Sequence, residues 1–274
     1  MPRRSLLFVP ALRPERVAKA VAAGADIVCI DMEDSVASDR KAEARELVLE
    51  GLKTQAGASA LAVRINPVQG PEGPLDIAAL VKAGVRPDYV AVPKVDAPED
   101  VVRVWQLFGS EPPPIIALIE TAVAVDKASD IARAVAPEGM LFFGAMDMSA
   151  ELGCTLDWEP LMFIRGRLVQ AAAAAGVEVL DTPYPDIADE AGGAAEARKA
   201  KQFGFAGKAA IHPRHLPGIH AAFTPTAQEI AWARRVIEAM AASTGVLQLD
   251  GKMIDRPVVR AAERTLLIAT KLGL

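Results

Sequence analysis

Short apolar runs that end on a polar residue recur along the chain, at 6–9, 27–31, 61–65, 89–92, 115–119, 140–143, 178–180 and 207–211. Each is followed by a stretch of helical period, which is the rhythm of successive βα units. Nearly continuous apolar strands are covered on both faces, so the pattern predicts a parallel sheet. Eight repeats predict closure into a (β/α)8 barrel, the TIM-barrel architecture, rather than an open sheet. Helix signals fall between the runs: Pro14 opens a helix over 16–23, Asp39 precedes one over 41–54, and Pro98 precedes one over 99–108. A further helix over 161–175 stops at Gly176.

Beyond the eighth run the rhythm changes. A helix over 226–242 leads into the segment from Val246 to Asp255, where Asp250-Gly251 is a strong turn signal, and a last helix opens at Pro257. The chain is therefore expected to divide into a barrel over 1–224 and a C-terminal helical extension, or lid, over 225–274. The extension cannot bury its apolar face alone, so it is expected to pack on the barrel or on a neighbouring subunit.

Composition narrows the class. Hydrophobic residues make up 51% of the chain and charged residues 24%, which suits one large core and argues against disorder. A formal net charge of -5, without a long run of Lys and Arg, argues against nucleic acid as a partner. Cys29 lies inside an apolar run, so it and Cys154 read as free thiols of a cytoplasmic protein. No apolar run approaches the ~18 residues of a membrane span, and no secretory leader pattern opens the chain, so neither membrane insertion nor export is expected.

In a barrel of this kind chemistry sits at the C-terminal ends of the strands. There the runs end in acid: Asp31-Met32-Glu33-Asp34 after the second, Glu120 after the fifth, and Gly144-Ala145-Met146-Asp147 after the sixth. Glu120 and Asp147 follow neighbouring strands, and two converging carboxylates repel unless a cation or a proton lies between them. Mg²⁺, or Mn²⁺ in its place, fits, since it takes one or two protein carboxylates and fills its other positions with water and substrate oxygens. Asp31, Glu33 and Asp34 would then accept hydrogen bonds from metal-bound waters. The plainer alternatives are carboxylates drawn to a helix N-terminus for the trio and a surface role for Glu120.

Arg64 ends the third run and faces the same rim, where its guanidinium could hold a carboxylate or an enolate oxygen through two parallel hydrogen bonds. Lys94, after the fourth run, is either catalytic or a partner for the nearby acids. His212, His215 and His220 lack the companion Glu of a zinc site and read as hydrogen-bonded rim histidines. No Gly-rich phosphate loop is present, which weighs against nucleotide and dinucleotide chemistry.

At these residues the chain resembles a known family. Arg4-Ser5-Leu6-Leu7-Phe8-Val9-Pro10, Asp31-Met32-Glu33-Asp34-Ser35-Val36, Arg64-Ile65-Asn66, Val92-Pro93-Lys94, Ile119-Glu120-Thr121 and Gly144-Ala145-Met146-Asp147 are similar to blocks of the citrate lyase beta-subunit-like proteins. Gly207-Lys208-Ala209-Ala210-Ile211-His212-Pro213 and Asp250-Gly251-Lys252-Met253-Ile254-Asp255-Arg256-Pro257 continue the match in the same order. Malyl-CoA and citramalyl-CoA lyases belong to that HpcH/HpaI aldolase superfamily. The resemblance implies Mg²⁺ on Glu120 and Asp147, Arg64 on the oxo-acid, CoA phosphates on Arg13, Arg16 and Lys19, and a homotrimer or a multiple of it.

It also implies a carbon-carbon lyase or synthase acting on an acyl-CoA thioester and a 2-oxo acid such as oxaloacetate, with Arg64, Asp255, Asp34 and Lys94 as the catalytic candidates. Asp255 would do the acid/base work; a capping role two residues before Pro257 is the alternative. Other readings are a citrate lyase beta subunit, a thioester-independent pyruvate aldolase, and a non-catalytic metal and oxo-acid binding protein. The chain departs from the family at Ala11, Met148 and His215, where Gly, Leu and Gln are usual.

Overall fold

A computed structural model describes residues 2–54, 57–241 and 246–274. Eight parallel strands close into a barrel in sequence order: β1 Ser5–Pro10, β2 Ile27–Asp31, β3 Ala60–Arg64, β4 Tyr89–Val92, β5 Ile115–Ile119, β6 Met140–Phe143, β7 Glu178–Asp181 and β8 Gly207–Ala210. The (β/α)8 expectation holds, and strand ends differ from the expected runs by one or two residues at most. The helices are α1 Glu15–Ala22, α2 Lys41–Gly51, α3 Glu72–Ala83, α4 Pro98–Phe108, α5 Ala122–Asp126, α6 Ala128–Val135, α7 Ala145–Leu152, α8 Met162–Ala175, α9 Glu190–Phe203 and α10 Leu216–Phe223. α2 stops at Gly51 rather than at Thr54, because Lys53 and Thr54 donate to carbonyls three residues back, a tighter turn that ends the helix.

The barrel interior is filled, with Leu6, Ile27, Cys29, Ala62, Ile116, Leu118, Phe142, Leu180 and Ala209 in one buried cluster. Side chains alternate along a strand, so the residue two beyond each of these points inward one layer higher. That rule takes Cys29 to Asp31, Ala62 to Arg64, Leu118 to Glu120, Phe142 to Gly144 and Leu180 to Thr182. Phe8 and Phe142 meet edge to face at 5.8 Å and form the floor beneath that layer.

Residues one off the inward register lie between strands and helices. Lys208 and Asp181 are such residues, and both are fully buried. Lys208 Nζ donates to Asp181 Oδ2 (2.8 Å), to the Thr182 carbonyl (2.7 Å) and to Glu196 Oε1 (2.6 Å). Arg165 donates its Nε to Asp181 Oδ1 at 3.1 Å and stacks over Trp158 at 4.2 Å. One carboxylate thus serves two buried cations, which makes it costly to remove.

By its internal contacts the chain divides into two compact units, Arg3–Ala222 and Phe223–Leu274, with Pro2 counted in the second. The second unit holds α11 Ala227–Ala241, an antiparallel hairpin of β9 Leu247–Leu249 and β10 Lys252–Ile254, and α12 Arg256–Leu272. Ala242, expected as the end of α11, lies outside the described residues. Asp250 and Gly251 have φ of 48° and 75°, the left-handed pair that a two-residue hairpin turn requires. Ala233, Val236, Ile254 and Ala262 form the small core of this unit. No helix among the described residues is long and apolar enough to cross a membrane.

Candidate active site

The inward layer above the barrel core opens into a cavity of about 540 Å³ lined by Asp31, Asp34, Arg64, Glu120 and Asp147, with Phe8 and Phe142 below. Adjacent strands place these groups. β2 and β3 pair so that Asp31 stands beside Arg64, and β5 pairs with β6, each preceding one of the two expected ligand carboxylates. Glu120 follows β5 directly, whereas Asp147 sits in the first turn of α7 and is exposed.

Arg64 is committed more heavily than a free rim arginine. Its Nε and Nη2 donate to the two oxygens of Asp31, each at 2.7 Å, a bidentate fork. Nη1 lies 3.0 Å from Glu33 Oε2, close enough for an ion pair although the oxygen is left without a formal hydrogen bond, and 3.5 Å from Asp34. The guanidinium also covers the Phe8 ring at 4.9 Å. Burial works to raise the Asp31 carboxyl, but the Arg64 guanidinium and the Glu33 backbone N–H outweigh it and hold the group below the usual carboxylate range.

Glu33 and Glu120 are perturbed the other way. Burial pushes the Glu33 carboxyl up to about 7, with Asp34 and Asp31 adding to the effect against Arg64. Burial pushes Glu120 up to about 8, and the Glu33 and Asp147 carboxylates add to it. Asp34 lies at the edge, with 64% of its side chain exposed. Lys94 Nζ is 3.9 Å from Glu33 Oε1, at the limit of an ion pair, while its backbone N–H donates to Glu120 Oε1 at 2.7 Å.

Several contacts that shape this site carry no signal in the apolar and polar pattern, although Asn66 lies in a block that carries the family resemblance. Lys41 Nζ donates to the Met32 and Glu33 carbonyls at 2.9 and 2.7 Å and pins the acidic loop. Asn66 Nδ2 donates to the Met32 carbonyl and to the buried Asp76, which Arg45 pairs in turn. These contacts span 8 to 34 residues, and no local spacing announces them.

The other expected residues fall elsewhere. Arg13, Arg16 and Lys19 are exposed on and before α1 and do not line the cavity. Asp255 belongs to the second unit, where its side chain accepts the Val258 backbone N–H and caps α12. The histidines correct the expectation of hydrogen-bonded rim groups. His220 Nε2 is 2.8 Å from Ser5 Oγ, at the opposite end of β1 from the cavity, and His215 is buried against Tyr184 with neither ring nitrogen bonded. Only His212 keeps a local bond, accepting the Arg214 backbone N–H. α10 runs back along the barrel as the helix of a βα unit does, and so carries His220 away from the rim.

Among the described residues no cluster of three or more His, Cys, Asp and Glu is arranged around a metal position. Two carboxylates suffice for a hard divalent cation that completes its octahedron with water and substrate. Glu120 makes the better case: it is 3% exposed, its charge is opposed by burial and by two other carboxylates, and a cation would relieve all three effects.

The model of the HpcH/HpaI aldolase/citrate lyase family matches residues 4–213, every strand of the barrel included. The chain belongs to this family. A second model, described as a C-C bond lyase of the TIM-barrel fold, matches residues 171–274. Among relatives, the citrate lyase subunit beta of Escherichia coli is 36% identical over 96% of this chain and 92% of its own. Rattus norvegicus mitochondrial citramalyl-CoA lyase is 30% identical over 99% of this chain and 87% of its own. Among solved structures, Mycobacterium tuberculosis CitE in complex with magnesium, acetoacetate and coenzyme A is 35% identical, with a TM-score of 0.82 over 98% of both chains.

Proposed function

We propose that the chain is a divalent-cation-dependent carbon-carbon lyase, or a synthase in the reverse direction, acting on an acyl-CoA thioester and a 2-oxo acid. The observation that carries this is the buried Glu120 sharing one cavity with Asp147 and with Arg64. Relatives bearing the names citrate lyase subunit beta and citramalyl-CoA lyase support it, as does the similar CitE with magnesium, acetoacetate and coenzyme A bound.

Glu120 and Asp147 would hold Mg²⁺, with Asp31, Glu33 and Asp34 around its waters. When bound, the ion supplies a Lewis acid for the carboxylate and carbonyl oxygens of the oxo acid. Arg64 has five N–H donors, of which the Asp31 fork takes two, and an enolate oxygen would compete with Glu33 and Asp34 for those on Nη1. In the synthetic direction Asp255, of this or of a neighbouring subunit, would take a proton from the acyl methyl carbon, and the enolate held by Arg64 would attack the oxo-acid carbonyl carbon. The carbonyl oxygen, left with the former π pair as an alkoxide, would take up a proton; cleavage is the reverse. Arg13, Arg16 and Lys19 meet the CoA phosphates. Lys94 and Asp34 complete the rim charges. On this reading the protein works in the cytoplasm as a homotrimer or a multiple of it.

A citrate lyase beta subunit is the second reading, favoured by the 36% identity to the Escherichia coli subunit. One experiment separates them: malyl-, citramalyl- and citryl-thioesters, on CoA and on a carrier-protein arm, assayed for released oxo acid with and without Mg²⁺. Cleavage of CoA esters supports the free-standing lyase, and cleavage confined to carrier-bound citryl groups supports the subunit. Absence of turnover with retained oxo-acid binding would leave a non-catalytic binding protein.

A further inference from the structure

Glu120 meets backbone on two sides. On one side the Lys94 backbone N–H donates to Oε1 at 2.7 Å. Lys94 has φ of 51°, a left-handed conformation that disfavours any residue with a Cβ. The Lys94 carbonyl accepts Gln69 Nε2 at 3.0 Å, and the next N–H, of Val95, reaches the Leu118 carbonyl at 3.4 Å, so the left-handed turn is tied at each end. On the other side stands Gly144, where a Cβ would lie 2.4 Å from Glu120 Cβ and 2.7 Å from Oε2. The Lys94 ammonium, by contrast, is half-exposed and reaches Glu33 only at 3.9 Å.

We propose that Lys94 is a positioning residue that acts through its left-handed backbone: its N–H fixes one oxygen of Glu120, and the missing side chain at Gly144 leaves the other oxygen turned toward the cation position. The inference rests on the reading of Glu120 as a cation ligand. A hydrogen bond to one carboxylate oxygen fixes the rotation of the group and lowers the reorganisation that cation binding requires. The φ angle matters more than the side chain because it sets the turn that carries the chain from the Lys94 amide to Val95, whose N–H is tied to the Leu118 carbonyl. Glycine adopts it freely, alanine at the cost the native lysine already bears, and a β-branched residue at the greatest cost.

Mn²⁺ binding to the whole protein, followed by electron paramagnetic resonance of the free ion, tests this without turnover. Lys94→Gly and Lys94→Ala, which tolerate the turn at least as well as the native lysine, are expected to keep the parent affinity, and Lys94→Val to weaken it by about 10- to 100-fold. Weakening in Lys94→Gly or Lys94→Ala as large as in Lys94→Val shows that loss of the side chain, not of the left-handed turn, is what matters and overturns the proposal. Gly144→Ala gives a second arm if Lys94→Val does not fold: it should lower Mn²⁺ affinity while a melting curve still shows a cooperative transition, and unchanged affinity there overturns the proposal. A parent protein that fails to bind Mn²⁺, or binds it equally well as Glu120→Gln, defeats the cation reading itself and with it this proposal.

Discussion

Asp31 and Arg64, opposite each other in the register of β2 and β3, are joined by two parallel hydrogen bonds of 2.7 Å at the mouth of the barrel. The pair is nearly enclosed, with 12% of the Arg64 side chain and 5% of the Asp31 side chain exposed. The fork orders the guanidinium before any substrate arrives, and Glu33 and Asp34 lean on its remaining edge.

Arg64→Gln should therefore destabilise the fold as well as abolish turnover. It leaves Asp31 and Glu33 buried without their cation, which costs about 3–5 kcal/mol for a pair of this kind. Urea unfolding measures the loss. A change below about 1 kcal/mol, the scale of an exposed pair, would show that the fork contributes no more than a surface contact.

The metal-free protein should lose stability as pH rises through neutrality. Glu120 goes from an ordinary value of 4.5 to about 8 on folding, and Glu33 from 4.5 to about 7. Between those limits the folded chain holds protons that the unfolded chain has released, so folding is favoured toward the acidic side of the window. Mg²⁺ binds the ionised carboxylate and should add most stability at the alkaline side. Melting curves at about pH 5.5 and about pH 8.5, with and without Mg²⁺, measure both trends, and Glu120→Gln should flatten the first. A melting temperature that climbs with pH in wild type without the metal would contradict this account.

Asp255 has an observed local role and a proposed chemical one, and two substitutions divide them. Asn caps a helix about as well as Asp, whereas Ala loses roughly 1 kcal/mol. Asp255→Asn should keep the wild-type stability and lose turnover with oxo-acid binding intact. Retained turnover in the Asn variant would confine Asp255 to capping α12.

Asp181→Asn should be among the costliest single changes in the barrel wall. Arg165 and Lys208 would keep their charges with no full counter-ion beyond Glu196, at a cost of about 3–5 kcal/mol. Denaturant titration gives the value directly. Wild-type stability in this variant would show that solvent or relaxation compensates the two cations.

Much of the architecture was open to a linear reading, because a buried parallel strand must be apolar almost throughout and must stop where polarity begins. The runs ending at Asp31, Ile119 and Phe143 show this, and they led straight to Glu120 and Asp147. The Asp250-Gly251 turn was equally plain, since few residue pairs accept two positive φ angles. His220 was misplaced for the converse reason. Its neighbour in sequence is a rim loop, but α10 carries it to Ser5 at the other end of the barrel.

Composition and period, then, determined that eight strands form, that they run parallel, and that acids crown them, because these follow from local burial and alternation alone. Which acid meets which base was settled by folding. Barrel closure and strand register bring Arg64 onto Asp31, Lys208 onto Asp181 and the Lys94 amide onto Glu120, across separations of 26 to 33 residues. Burial then sets the charge each carboxyl carries, since the desolvation of Glu120 and Glu33 exists only once the strands around them have closed.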